Sequence, residues 1–389
     1  MNTQTRLKIC SAGTILLKIF LISVTLFTAG AAVLLFAADM PWQAWLAAVV
    51  AVAVIEFIVF WTGIILVYCS SVQLGIKIRI IGALVGMIPV ANMAALIVII
   101  KTVSQEVSFE RQKLALNKAR HHEQVCKTKY PLLMVHGVFF RDYRFLNYWG
   151  RIPRELTENG ATVYFGNQES AASVAESGRQ LAVRIRQIVQ ETGCGKVNVI
   201  AHSKGGLDIR YAAAFCGIED MIGSIVTINT PHRGCKFAEY LLEKLPVQAQ
   251  QKIASAYDGT MKKLGDQAPD FMAAVRDLTA GVCKDRDSRM PQPGGVWCMS
   301  VGSRLNKAAG GKFPLNFTYN LVKYFDGPND GLVAESSFRW GDDYIFLETD
   351  GKRGISHGDM IDLNRENIPG FDVREFYVDL VSRMKKMGL

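Results

Sequence analysis

Val197-Asn198-Val199-Ile200-Ala201-His202-Ser203-Lys204-Gly205-Gly206 is the stretch on which the reading of the fold turns. Lys196–Ala201 is a short apolar, β-branched run with the signature of a buried strand, and Lys204–Phe215 reads as a helix. Between them a serine stands on a tight strand-to-helix turn. Ala201, two residues before it, and Gly205, two after, are small, as such a turn requires where backbones pack too closely for side chains. The flanking chain keeps the same alternation. Pro131–His136 and Ile222–Ile228 read as strands, and Ser173–Gln190 as an amphipathic helix with Leu181, Ile185 and Ile188 on one face. Strands alternating with helices imply a mostly parallel sheet with crossover helices, an α/β architecture.

A serine hydroxyl is a weak nucleophile until a base removes its proton, and a turn of this kind presents it to one. Ser203 is therefore the candidate nucleophile. Acyl chemistry also needs donors for the negative charge of a tetrahedral intermediate. In this architecture they come from the loop after an early strand and from the residue after the nucleophile. Leu132-Leu133-Met134-Val135-His136-Gly137-Val138 ends the first strand, so the backbone N–H groups of Val138 and Lys204 are the candidates, with His136 orienting the loop.

The base follows from chain order, which in this architecture runs serine, acid, histidine. Of six histidines only His232 and His357 come after Ser203. His232 follows the next strand at once, which leaves no later loop for an acid before it, so His357 in Ile355-Ser356-His357-Gly358-Asp359 is the candidate base. Thirteen aspartates lie between Ser203 and His357. Asp330, in the turn Gly327-Pro328-Asn329-Asp330-Gly331 after the strand around Val296–Val301, is the expected acid. Asp326, Asp342 and Asp343 read as surface turn residues.

Together with Tyr148-Trp149, Ile152-Pro153, Asn159-Gly160-Ala161 and Thr230-Pro231-His232-Arg233-Gly234, these pieces resemble the bacterial triacylglycerol lipases of the Pseudomonas and Burkholderia type, over roughly residues 129–370. The resemblance implies an α/β-hydrolase fold, a Ser203–Asp330–His357 triad, and Val138 and Lys204 as oxyanion donors. It implies a carboxylic-ester or lipid substrate and no catalytic cofactor. Those lipases often hold a structural calcium between two aspartates, one of which matches Asp359. Arg304–Phe325, where its partner would lie, contains no Asp, so a calcium site is not expected to be complete. Residues 235–295 fall outside the strand pattern. Their amphipathic segments Phe237–Leu245 and Phe271–Leu278 are read as a helical cap over an acyl pocket.

The other end of the chain is of a different kind. Half of the 389 residues are hydrophobic, mean hydropathy is positive, and the excess is concentrated in residues 13–100. Ile19–Ala38, Ala44–Tyr68 (interrupted by Glu56) and Ile80–Ile100 (containing Pro89) are each long enough to cross a bilayer. The reading is an all-α transmembrane region over residues 1–100 with about three spans, a basic helical connector over 101–129, and the hydrolase domain over 130–389. Lys101, Arg111, Lys113, Lys118, Arg120, Lys127 and Lys129 in the connector face only three Glu, a bias that suits anionic lipid headgroups as well as a solvated helix. The expected location is a bacterial inner membrane, with the side of the catalytic domain left open by the charge distribution. Nothing in the charge pattern, +9 overall, argues for nucleic acid. No Cys-x-x-Cys pair points to zinc or redox chemistry, and Cys283 and Cys298 could close a disulfide loop in an oxidising compartment.

The motifs leave two other readings open. A phospholipase, thioesterase or acyltransferase would use the same triad, because the pocket and the acceptor decide the substrate. A membrane interaction protein could keep the scaffold without the chemistry.

Overall fold

The structure is a computed structural model. It describes every residue except 1, 38–40, 87, 89–90, 139–146 and 264–265; Ala38 and Pro89, which belong to two of the expected spans, lie outside the described residues. The chain divides into two units, Met1–Ala119 and Arg120–Leu389.

The first unit is built from α1 (Thr3–Ala37), α2 (Trp42–Ser70), α3 (Gly75–Val85) and α4 (Ala91–Arg120). Among the described residues, two helical stretches are long and apolar enough to cross a membrane, Thr3–Ala31 and Trp42–Ser70. The third expected span is corrected. Ile80–Ile100 is shared between α3, which ends at Val85, and α4, which begins at Ala91. At 1.5 Å per residue the 11 residues of α3 reach about 17 Å, short of a hydrocarbon core of about 30 Å. The basic segment is also less solvated than its composition suggests, since α4 carries Glu106, Glu110 and Lys113 on a buried face. Glu106 gathers the Arg6 guanidinium at 2.5 Å, the Ser71 hydroxyl at 2.6 Å, and the N–H groups of Val72 at 3.0 Å and Gln73 at 3.2 Å. One carboxylate thus ties α1, the turn after α2, and α4 together.

The second unit holds a six-stranded, fully parallel sheet in the order β2-β1-β3-β4-β5-β6. In chain order it runs β1 (Leu132–Val135), α5 (Ile152–Glu158), β2 (Val163–Phe165), α6 (Val174–Thr192), β3 (Val197–His202), α7 (Lys204–Phe215) and β4 (Ile222–Ile228). Then come α8 (Lys236–Lys244), α9 (Val247–Lys263), α10 (Phe271–Arg276), α11 (Ala280–Arg289), β5 (Trp297–Ser303), α12 (Leu315–Asp326), β6 (Asp343–Leu347) and α13 (Val373–Lys386).

Alternate residues of each strand feed opposite faces. Leu132, Met134, Ile200, Val226 and Met299 pack with Trp149, Ile152 and Tyr377 on one side. Leu133, Val135, Val199 and Ile225 pack with Leu181, Ile185 and Ile209 on the other. Burial on both faces explains why these strands read as continuous apolar runs rather than alternating ones. The helix α6 starts where Ser173 accepts the N–H of Glu176 and ends where Gly193 takes a positive φ of 66°.

Among the described residues, the stretch 235–295 is helical, with α8 to α11 and no strand. The expected Cys283–Cys298 bridge is not formed. Both are free thiols in separate clusters, Cys283 with Val174 and Leu207, Cys298 with Val296 and Ala213. Burial pushes the thiols of Cys126, Cys283 and Cys298 up to about 12, and that of Cys235 higher still.

Candidate active site

The strand β3 delivers Ser203 in a conformation that ordinary side chains avoid, φ 55° and ψ −131°. Such a backbone costs on the order of 1–3 kcal/mol and persists because its surroundings fix it. The Ser203 N–H donates to the Ile228 carbonyl at 2.9 Å, and its carbonyl accepts the Thr230 hydroxyl at 2.8 Å and the Gly206 N–H at 3.0 Å. The glycines after it are sterically required. A Cβ on Gly205 would lie 2.4 Å from the His136 carbonyl oxygen, and one on Gly206 2.1 Å from the Thr230 hydroxyl. The serine is 5% exposed, at the N-terminus of α7, where the first N–H groups have no intrahelical partner and the helix dipole favours negative charge.

Strand β1 brings its end against the same point. A Cβ on Gly137 would sit 2.8 Å from the Cβ of Ser203, so only glycine lets the loop bearing Val138 approach this closely. His136 is fully buried, its Nε2 3.0 Å from the Gln168 carbonyl, while Gln168 donates back to the His136 carbonyl at 2.8 Å. That ring holds the loop and is not presented to the serine. The Lys204 side chain is equally occupied, its ammonium buried between Asp208 Oδ1 at 2.8 Å and the Ser177 hydroxyl at 2.9 Å. Burial pushes the Asp208 carboxyl up to about 7, against the opposing pull of Lys204. What Lys204 can offer the site is its backbone N–H.

His357 and Asp330 meet. His357 Nδ1 lies 2.6 Å from Asp330 Oδ2, and the His357 N–H donates to the Asp330 carbonyl at 2.9 Å. The fully buried Asp330 carboxylate is aimed by three further donors: Leu332 N–H at 2.9 Å, Val333 N–H at 2.8 Å and Asn229 Nδ2 at 2.6 Å. The structure thus pairs His357 with Asp330, while among the described residues no hydrogen bond joins His357 Nε2 to the Ser203 hydroxyl.

The competing assignments are engaged elsewhere. Asp326 accepts from the Phe237 N–H, Asp342 from the Cys298 N–H, and Asp343 from the Trp297 indole. His232 is locked between Arg210 and Thr227 and stacked on Trp340.

The parallel sheet with its strand-to-helix turn at Ser203 is an α/β-hydrolase fold. In sequence the chain is similar to triacylglycerol lipases. That of Pseudarthrobacter phenanthrenivorans is 33% identical over 180 residues, 43% of this chain and 56% of the relative, so this chain spans just over half of that protein's length. That of Vibrio cholerae is 27% identical over 291 residues, 68% of this chain and 90% of the relative. The crystal structure of Staphylococcus hyicus lipase superposes with a TM-score of 0.53 at 18% identity, over 67% of this chain and 97% of that one, a likeness of fold. No family model matches the chain.

Asp359, the residue matched to a lipase calcium ligand, does not suit one here. Its carboxylate is clasped by both guanidinium nitrogens of Arg353, at 2.6 and 3.0 Å, and also accepts the Ser356 N–H at 2.7 Å. A divalent cation would have to displace a fixed positive charge already paired with this carboxylate. Two residues from His357, the contact braces the loop.

Sequence reasoning missed two groups that surround the site. Asn229, which aims Asp330, sits at φ 48° directly after β4. Tyr148 stands with His202 behind the serine, its hydroxyl 2.7 Å from His202 Nδ1. The Tyr148-Trp149 pair was visible as a motif, but nothing local in the sequence says what its hydroxyl meets.

Proposed function

We propose that the chain is a membrane-anchored serine hydrolase that cleaves carboxylic esters of lipids through an acyl-enzyme on Ser203. The observation carrying this reading is the buried Asp330–His357 pair, 2.6 Å apart, beside a serine held on a strained strand-to-helix turn.

In the proposed reaction His357 Nε2 takes the Ser203 proton as the oxygen attacks the ester carbonyl carbon. Asp330 holds the ring in the tautomer that leaves Nε2 bare, and stabilises the imidazolium that forms. The N–H groups of Val138 and Lys204 receive the oxyanion, each contributing roughly 3 kcal/mol to the transition state. His357 returns the proton to the departing alcohol. Water, deprotonated by the same nitrogen, then releases the acid and restores the serine. Asp359 with Arg353 keeps the His357 loop in place, and no metal enters any step. The anchoring half of the proposal rests on α1 and α2, which are long and apolar enough to cross a bilayer and expose large side chains such as Ile22, Leu26, Ile55, Phe57 and Ile58.

A fluorophosphonate probe and a short-chain ester test the reading together, on full-length protein in detergent. The wild-type chain should be labelled and active. Ser203→Ala should take no label and lose roughly five to six orders of magnitude in kcat. Near-normal turnover by that variant would end the assignment.

A further inference from the structure

Behind the serine lies a set of buried polar groups that the reaction above does not use. Tyr148 is 4% exposed, wedged between Trp149 and the rings of His136 and His202. Its hydroxyl is 3.0 Å from the Gly137 N–H and 2.7 Å from His202 Nδ1. His202 is itself buried, its Nε2 3.2 Å from the carbonyl oxygen of His357 and its ring centroid 4.4 Å from that of His357.

The directions of these bonds follow from the chemistry of the two ends. A carbonyl only accepts, so His202 Nε2 carries a proton toward His357. Burial, reinforced by the neighbouring His357, lowers the pKa of His202 well below 6.5, so the ring is neutral and Nδ1 is bare. A bare nitrogen accepts, so the Tyr148 hydroxyl donates to it. The phenol oxygen in turn accepts from the Gly137 N–H, which only donates. Every bond points the same way, from the strand end beside the oxyanion loop to the loop that carries the base.

We infer that Tyr148 and His202 are positioning residues, a one-way hydrogen-bond chain that holds Gly137-Val138 and His357 in register about Ser203. The inference rests on the serine hydrolase reading of this site and adds a device to it. Val138 N–H and His357 Nε2 act on opposite sides of one reacting carbon, and they belong to segments far apart in sequence. The chain joins them through the residue next to the nucleophile, so a displacement of one is felt by the other. Misplacement on the scale of 1 Å is worth up to about a hundredfold in rate.

Three variants of the full-length protein in detergent test this: Tyr148→Phe, His202→Gln and the double variant. Tyr148→Phe keeps the ring and removes the hydroxyl. His202→Gln retains a donor toward the His357 carbonyl and loses the ring acceptor. Each should lower kcat on a short-chain ester and the rate of fluorophosphonate labelling by roughly ten- to a hundredfold, with KM changed less than about twofold. The double variant should be about as slow as the slower single, because both break one chain. Wild-type kcat in Tyr148→Phe, or single effects that multiply in the double, would overturn the chain. So would losses of rate that merely follow a fall in melting temperature. Activity surviving in Ser203→Ala would instead remove the reading beneath it, a result separable from all of these.

Discussion

The two units of this chain differ in what they turn outward. In Arg120–Leu389 the interior is hydrocarbon: Leu132, Leu133, Met134, Ile200 and Val226 are fully buried on the two faces of the sheet. In Met1–Ala119 Leu17, Val67 and Val103 are buried as well, but large apolar side chains also stand outside, Ile55, Phe57 and Ile58 being 58–64% exposed on α2, and the charged Glu106, Glu110 and Lys113 lie within. Water expels hydrocarbon from a surface, and a bilayer core has no such demand. That apolar exterior is what a chain built for two solvents would show, and it supports the anchoring proposed above.

Deleting the interior of each unit sharpens the contrast most. Glu106→Ala removes a buried carboxylate that holds the partly exposed Arg6 guanidinium, the Ser71 hydroxyl and two backbone N–H groups, and should cost the helical unit about 3 kcal/mol. The equivalent wound in the other unit is apolar: Leu133→Ala should cost about 2–5 kcal/mol. Thermal unfolding in detergent reads both, and a Glu106→Ala melt indistinguishable from wild type would break the comparison.

The outer surfaces give the next test. Ile58 on α2 and Val183 on α6 are similarly exposed, at 58% and 65%. Ile58→Lys places a charge near the middle of α2 and should oppose membrane insertion by about 3 kcal/mol, whereas Val183→Lys should shift stability by less than about 0.5 kcal/mol. Alkaline extraction of membranes carrying each variant separates them. Equal retention of the two chains would mean that α2 faces no hydrocarbon.

The smallest effect is a slope with pH. Burial lowers His202 and His232 well below the ordinary histidine value of 6.5, so below about that pH the unfolded chain binds protons that the folded chain refuses. Stability is complete above that value and falls with decreasing pH, by up to about 1.4 kcal/mol per histidine per pH unit. Met1–Ala119 contains no histidine and should not follow this slope. Melts between pH 7 and 5 should flatten in His232→Gln. An unchanged slope there would show that His232 is not the group that titrates.

Much of this was legible in the sequence because it is local. A run such as Val197–His202 declares a strand by its own side chains, and Ala201 and Gly205 declare the turn by their size. His357 was legible by order and elimination, and Asp330 only by its turn after the strand around Val296–Val301 and by the family resemblance, since chain order left thirteen aspartates open. Long-range partners were not legible. That Arg353 clasps Asp359, or that Glu106 meets Arg6 a hundred residues away, is decided by how elements pack. The Ile80–Ile100 run misled for a related reason, since hydropathy counts apolar residues without seeing where a helix stops. Helix α9 (Val247–Lys263) was overlooked because its apolar positions are sparse among glutamines and lysines.

The cysteines carry one last consequence. Cys126, Cys235, Cys283 and Cys298 are unpaired, buried, and far too weakly acidic to exist as thiolates at neutral pH, so they neither hold the α/β unit together nor invite oxidation. A fold stapled by disulfides is bound to an oxidising compartment. These four form no bridge for a reductant to break.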